Sequence, residues 1–197
     1  MPDLVTLGFD TSAAHCAAAL LTGDRLIALR SEAMDKGQSA RLMPLIAALL
    51  ADAGMTVRDL DVIGVGTGPG NFTGIRIAVA AARGLALALD IPAIGVGATD
   101  ALAHGLPRPC RIVIPGRRDM VIWQDFDSTE STPAQGPADA LPPGPAPATP
   151  VLGIAEGIAR IALIRARSGQ PQPRPAPIYL RPADAAPARD RGPQILP

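Results

Sequence analysis

Residues 66–76 read Gly66-Thr67-Gly68-Pro69-Gly70-Asn71-Phe72-Thr73-Gly74-Ile75-Arg76, and residues 77–89 behind them are almost wholly apolar. Ahead of them, residues 62–65 form a short apolar run of strand type. Strand, glycine-rich loop and helix in that order make one α/β unit. The start of such a helix presents unpaired backbone N–H groups and the positive end of the helix dipole. Gly68, Gly70 and Gly74 permit close approach and positive φ, and Asn71 and Thr73 can add side-chain donors. Two readings are open. The loop either cradles an anion or turns a tight corner with Thr73 capping the helix. It is not a Walker loop, because no Lys-Ser or Lys-Thr pair follows, and it lacks the spacing and downstream acid of a dinucleotide fingerprint.

Toward the N-terminus, residues 4–9 read as a strand ending in the polar turn Asp10-Thr11-Ser12. Residues 16–21 are a second strand, Gly23-Asp24 a hairpin turn, and residues 25–30 a third strand. Residues 39–53 carry Leu42, Leu45, Ile46, Leu49 and Leu50 at helical spacing, and Gly54 stops that helix. After the glycine loop come a helix over 73–89, a strand over 93–96, and a short helix capped by Thr99-Asp100 and running to His104. The order β-β-β-α-β-α-β-α predicts a mixed sheet of α/β class. It is the order of the ribonuclease-H-like half-domain of actin-like ATPases and sugar kinases. In that fold an acidic and hydroxyl turn like Asp10-Thr11-Ser12 faces nucleotide phosphates.

Composition changes near residue 105, which suggests a first lobe over 1–105 and a reduced second lobe over 106–197. Residues 111–114 and 120–126 look like a strand pair. Residues 128–150 are rich in Pro, Ala and Thr and read as an extended or mobile linker, unfit for a central strand or a helix interior. Residues 151–167 read as one helix, and 178–181 as a brief ordered island in a proline-rich tail.

Bulk properties exclude several classes. The chain has 197 residues, 48% apolar but only 3% aromatic, so its core is built from Ala, Leu, Ile and Val. Formal net charge is zero, which disfavours direct binding of nucleic acid. Cys16 and Cys110 are the only cysteines, no disulfide framework is indicated, and Cys16 reads as a buried thiol. No leader pattern and no apolar run of membrane-spanning length stand out, so the expectation is a cytoplasmic protein.

Catalytic machinery is hard to find. His15 and His104 lie in different elements, where solvated or capping roles are expected, and no helical pair of metal-ligating histidines exists. Ser12 or Cys16 as a nucleophile would have only His15 nearby as a base. Asp59 and Asp61 read as loop caps. The two long helices are more informative: residues 41–51 and 77–89 each carry a single charge and are apolar nearly all round. One face can pack on the sheet, and the other then needs a partner. The residues expected at that interface are Arg41, Leu45, Leu49, Ile75, Val79 and Arg83. Small residues at Ala78, Ala81, Ala82 and Gly84 would allow close helix approach.

Four segments together carry a family resemblance. They are Phe9-Asp10-Thr11-Ser12, then Ser39-Ala40-Arg41-Leu42-Met43-Pro44-Leu45-Ile46, then Gly68-Pro69-Gly70-Asn71-Phe72-Thr73-Gly74-Ile75-Arg76, and Ala82-Arg83-Gly84-Leu85-Ala86. In order and spacing they resemble the TsaB (YeaZ) family of tRNA threonylcarbamoyladenosine biosynthesis proteins. The resemblance is close over about residues 4–105 and fragmentary at Arg117-Arg118 and Pro177-Ile178-Tyr179-Leu180-Arg181-Pro182. Two positions depart from the family's pattern: Pro115-Gly116 stands where Asp-Ala is usual, and Gln38 where a histidine is common. The resemblance implies a non-catalytic partner of the paralogue TsaD, joined by the ATPase TsaE. That complex adds a threonylcarbamoyl group to the adenosine beside the tRNA anticodon. It implies pairing with TsaD, or of two copies, through the two helices, with tRNA met only through the complex. No resident cofactor is expected, and ATP or ADP at the subunit junction is left open. Asp10, Thr11, Ser12, Gly68, Gly70, Asn71 and Thr73 are the residues of a weak anion or nucleotide site. The alternatives are an actin-like phosphotransferase or ATPase using those residues and, more weakly, a glycoprotease-like peptidase.

Overall fold

Strand β1 (Val5–Asp10) is the central strand of a five-stranded sheet in the order β3-β2-β1-β4-β5. The computed structural model describes residues 3–116, 119–127 and 131–180. Strands β2 (His15–Thr22) and β3 (Arg25–Ala33) follow β1 as antiparallel neighbours. Their hairpin turns at Gly23, whose φ of +56° suits a residue without a Cβ. On the other side of β1, strands β4 (Val62–Gly66) and β5 (Ala93–Val96) run parallel to it. Each is reached through a helix, α1 (Gln38–Asp52) before β4 and α2 (Phe72–Leu89) before β5. This is the ribonuclease-H-like arrangement expected from the element order.

Both faces of the sheet are covered, which is why β1 and β4 are buried almost without alternation. On one face α1 and α2 build the larger core, with Leu7, Phe9, Leu20, Leu42, Leu45, Ile46, Leu49, Ile63, Ile75 and Val79. On the other face lies α4 (Ile154–Arg167), which packs on β1, β4 and β2. The segment read as a helix of the second lobe thus completes the sheet of the first. It can do so because the facing residues are small. A Cβ added at Gly8 would stand 2.5 Å from the Ala155 carbonyl oxygen, and one at Gly64 would stand 2.8 Å from the Ala162 Cβ. Ala17, Ala19, Ala155 and Ala159 continue the contact. Close approach of helix to sheet replaces bulky side chains, in keeping with the low aromatic content.

Helix α3 (Ala98–Ala103) links this sheet to a second one of order β6-β7-β8. Strands β6 (Cys110–Pro115) and β7 (Met120–Phe126) form the expected hairpin. The 128–150 stretch differs from the linker expectation. Ala134–Pro137 forms edge strand β8 on β7, a place that tolerates proline because one side of the strand donates to nothing. The buried Arg111 ties the rest down. Its Nη2 donates to Asp125 Oδ2 at 2.7 Å and its Nη1 to the Pro142 carbonyl at 2.8 Å. Residues 128–130 of that stretch lie outside the described residues.

Two further expectations change. Thr99 does not cap α3: Gly97 holds the N-cap position, and Thr99 Oγ1 donates to Gln124 Oε1 of β7. Helix α2 is 18 residues long and, by length and composition, apolar enough to cross a bilayer. The apolar run of residues 77–89 reaches that length because the helix extends back through Ile75 to Phe72. In the fold Gly74, Ile75, Ala78, Val79 and Ala82 of this helix are buried against the sheet.

The contact of α4 with β1 leaves no room at Gly8. Gly8→Val should lower stability by about 3 kcal/mol or more, measured by urea denaturation. An unchanged midpoint would mean that α4 does not seat on this strand.

Candidate functional site

Parallel pairing of β1 with β4 brings the glycine loop onto the turn Asp10-Thr11-Ser12. The structure brings the Asp10-Thr11-Ser12 turn against Gly70 and Asn71, with Thr73 bonded to Asn71, while Gly68 turns toward Ile75 and α3. Asn71 N donates to the Ser12 carbonyl at 2.6 Å, and Thr11 Oγ1 donates to the Gly74 carbonyl at 2.7 Å. A Cβ added at Gly70 would lie 2.3 Å from the Ser12 carbonyl oxygen, and one at Gly74 would lie 1.9 Å from that of Thr11. The other side of the loop is held to β5 and α3. Thr67 N and Oγ1 both donate to the Val96 carbonyl, at 2.9 and 3.1 Å, and Ala98 N donates to Gly68 O at 2.7 Å. Gly68 has φ +88°, and the Gly68–Pro69 peptide is cis.

Several of the donors that an anion would need are engaged within the chain. Asn71 is the N-cap of α2, and its side-chain oxygen accepts from Thr73 N and Gly74 N at 3.0 Å each. Thr73, read as the cap, is instead the second residue of the helix, and its backbone N–H is what the cap satisfies. These bonds make the loop a structural corner, with Gly70, Asn71, Phe72 and Thr73 exposed at its outer edge.

Asp10 is fully buried and turned inward. Its Oδ2 accepts from Ser12 N and Ser12 Oγ at 2.8 Å each and from His15 Nε2 at 2.7 Å. Its Oδ1 has no hydrogen-bond partner among the described residues, and a Cβ at Gly66 would lie 1.9 Å from it. His15, expected to be solvated, is therefore the cation-capable partner of a buried carboxylate. The sequence holds one signal for this pair: a histidine opening the second strand of the hairpin that Asp10 begins.

Nucleophilic chemistry finds little support here. Burial, with Glu32 next, pushes the Cys16 thiol up to about 11, which keeps it protonated and inert. Ser12 Oγ faces a carboxylate and not an imidazole. His104 sits at the end of α3, where burial, followed by Arg160 and Arg108, holds its imidazole below the usual range. Among the described residues no group of three or more His, Cys, Asp and Glu side chains stands close enough to share a metal ion.

The helix faces correct the interface residues. Leu45, Leu49, Ile75 and Val79 are buried in the chain's own core and face the sheet. A charge at Val79 would break the core before it broke any pairing. Ala78 and Ala82 face inward as well. Arg41 is half-buried and forms a bidentate ion pair with Glu32 at 2.6 Å, while Arg83 is exposed. The outward side consists of Ala40, Met43, Pro44 and Ala47 on α1, and of Phe72, Arg76, Ala80, Arg83 and Leu87 on α2. The Phe72–Arg76 pair is the feature that sequence reasoning missed. Its spacing of four residues was visible, and the Arg76 guanidinium lies 3.7 Å from the Phe72 ring centre.

Comparison with known proteins now decides the family. A family model described as TsaD, tRNA N6-adenosine threonylcarbamoyltransferase, matches residues 32–141, more than half of the chain. YeaZ from Pseudomonas aeruginosa superposes with a TM-score of 0.73 at 27% identity, covering 90% of this chain and all of that one. The chain belongs to the TsaB (YeaZ) family of TsaD-like proteins. An uncharacterized protein of Mycobacterium tuberculosis is 35% identical over 92% of this chain and 93% of its own length. The TsaB proteins of Buchnera aphidicola and Escherichia coli are 37% and 31% identical, each over 64% of this chain, and the match spans 61% and 56% of their lengths.

The two departures from the TsaB pattern have local explanations. Gln38 Nε2 donates to the Met34 carbonyl at 3.0 Å and closes the loop before α1. Gly116 N donates to Met120 O at 2.7 Å, and a Cβ at Gly116 would lie 2.7 Å from the same oxygen, so the tight hairpin accepts no alanine there. Arg117 and Arg118 lie outside the described residues, as do Arg181 and Pro182.

The corner predicts an unusual sign. Gly→Ala inside an exposed helix stabilises by about 1 kcal/mol. Gly74→Ala should instead destabilise by about 2 kcal/mol, because the methyl group meets the Thr11 carbonyl. Thermal melting checks this, and a raised melting temperature would show the corner to be open.

Proposed function

We propose that the chain is a non-catalytic subunit that pairs with a TsaD-type threonylcarbamoyltransferase through the outer faces of α1 and α2. Its own part in tRNA threonylcarbamoyladenosine formation is to bind and stabilise that enzyme. The observation that carries this reading is the outer helix face. Leu87 is 85% exposed, Phe72 43% and Met43 41%, on two neighbouring helices. Large apolar side chains grouped on one face mark a surface built to be covered. Between them Ala40, Ala47, Ala80 and Gly84 keep the face low. A Cβ at Gly84 would meet nothing within 4 Å among the described residues, so a partner helix can approach closely. In the absence of that partner, two copies pair through the same face.

The closed corner supports the non-catalytic part. The groups an actin-like enzyme would turn toward phosphates are here used to hold a sheet to a helix. A neutral net charge fits a subunit that meets tRNA only through a more basic partner. The TsaE ATPase then acts on the assembled pair, in the cytoplasm.

Titration calorimetry of the purified chain against its host's TsaD paralogue tests the reading. Wild-type protein should bind tightly, and Leu87→Asp should bind at least ten-fold more weakly, about 1.4 kcal/mol. Leu87→Asp should melt at an unchanged temperature, since Leu87 is outside the core. Equal affinity of the two proteins would remove this face from the interface. A binding constant that depends on added ATP would put a nucleotide at the junction.

A further inference from the structure

The last described residues return to α2. Helix α4 ends at Arg167, Gly169 just beyond it has φ +68°, and a run with prolines at 171, 173, 175 and 177 then leads back to α2. Proline offers no backbone donor, so an arm of this composition is held by few contacts. Pro175 is buried beside Gly95 of edge strand β5, and Ile178 N donates to the Thr67 carbonyl at 2.8 Å. Beyond that bond, Tyr179 reaches the first turn of α2. Its ring centre lies 5.0 Å from that of Phe72, and its hydroxyl accepts from Arg76 Nε at 2.9 Å.

Phe72, Arg76 and Tyr179 therefore form one cluster on the outer face of α2. Arg76 lies across Phe72, at 3.7 Å, and beside Tyr179, at 5.8 Å. The Tyr179 hydroxyl occupies Nε and leaves the two terminal nitrogens of the guanidinium without partners among the described residues. A guanidinium fixed in this way presents a planar fork suited to a carboxylate. Arg83 stands on the same side of α2, and among the described residues neither arginine makes an ion pair. The outer stripe Phe72, Arg76, Ala80, Arg83, Leu87 carries two positive charges and no negative one.

We propose that the C-terminal arm is part of the partner-binding face: Tyr179 holds Arg76 over Phe72 so that the cluster receives a carboxylate on the helix of the TsaD-type partner. This rests on the reading that the α1–α2 face binds that partner. Leu87 is then an apolar anchor at one end of α2, and the Phe72–Arg76–Tyr179 cluster is a charged anchor at the other. Two unpaired arginines on a face that is otherwise small and apolar call for acidic groups opposite them.

Calorimetry with the full chain and the TsaD paralogue, at low and moderate salt, tests this with Tyr179→Ala, Arg76→Gln and Leu87→Asp. The expected result is at least ten-fold weaker binding for Tyr179→Ala and for Arg76→Gln, with melting temperatures within a degree or so of wild type. Arg76→Gln should also show a weaker dependence of affinity on salt than wild type. Wild-type affinity in Tyr179→Ala and Arg76→Gln, with weak binding in Leu87→Asp, would overturn the arm's role and leave the helix face standing. Wild-type affinity in all three would overturn the helix face as well. Weaker binding of Tyr179→Ala with normal binding of Arg76→Gln would also overturn the proposal, because the arm would then not act through the arginine.

Discussion

The fold depends on one contact, where the corner between β4 and α2 is pressed into the turn that ends β1. The Asn71 N–H reaches the Ser12 carbonyl at 2.6 Å, and the Thr11 carbonyl lies where any side chain at Gly74 would begin. Because that approach is so close, glycine is required at 70 and 74, and Asn71 must supply the cap from outside the helix. The same contact aims α2 across the sheet, so that Ile75, Val79 and Ala82 enter the core while Phe72, Arg76, Arg83 and Leu87 face outward. The buried Asp10 is part of this joint. Ser12 and His15 satisfy one of its oxygens, and the turn is held in the shape that receives the loop.

Function follows from what the joint leaves unoccupied. The turn after β1 and the glycine loop are bonded to each other, through Asn71 N to the Ser12 carbonyl and Thr11 Oγ1 to the Gly74 carbonyl. The backbone donors at Asn71, Thr73 and Gly74 are already satisfied within the chain. What remains exposed is an outer face of α1 and α2 that is largely apolar and carries Arg76 and Arg83, neither of which forms an ion pair among the described residues.

Much of this was legible in the residues. The glycine loop, the Gly23 hairpin and the apolar runs located all five strands of the main sheet and its helices, because turn chemistry and periodicity are local. The facing of the helices was not. Residues 41–51 and 77–89 are apolar on every side, so no stripe distinguishes core from surface, and Leu45, Leu49, Ile75 and Val79 were assigned to the wrong one. The Asp10–His15 bond joins the ends of a hairpin, and Tyr179 meets Arg76 across 103 positions. Contacts of that kind depend on tertiary placement. Strand β8 escaped notice because its proline, Pro137, disqualifies a central strand but not an edge, and Arg111 holds the proline-rich stretch after it through carbonyl groups that any residue would offer.

The most direct measurement is a titration of magnesium ATP into the isolated chain, followed by calorimetry and by release of inorganic phosphate. A corner closed by the chain's own groups predicts no saturable heat and no phosphate released above background. Saturable binding at micromolar ATP, with turnover lost in Asp10→Asn while the variant still folds, would contradict it. The chain would then be an actin-like enzyme whose corner opens to admit its substrate.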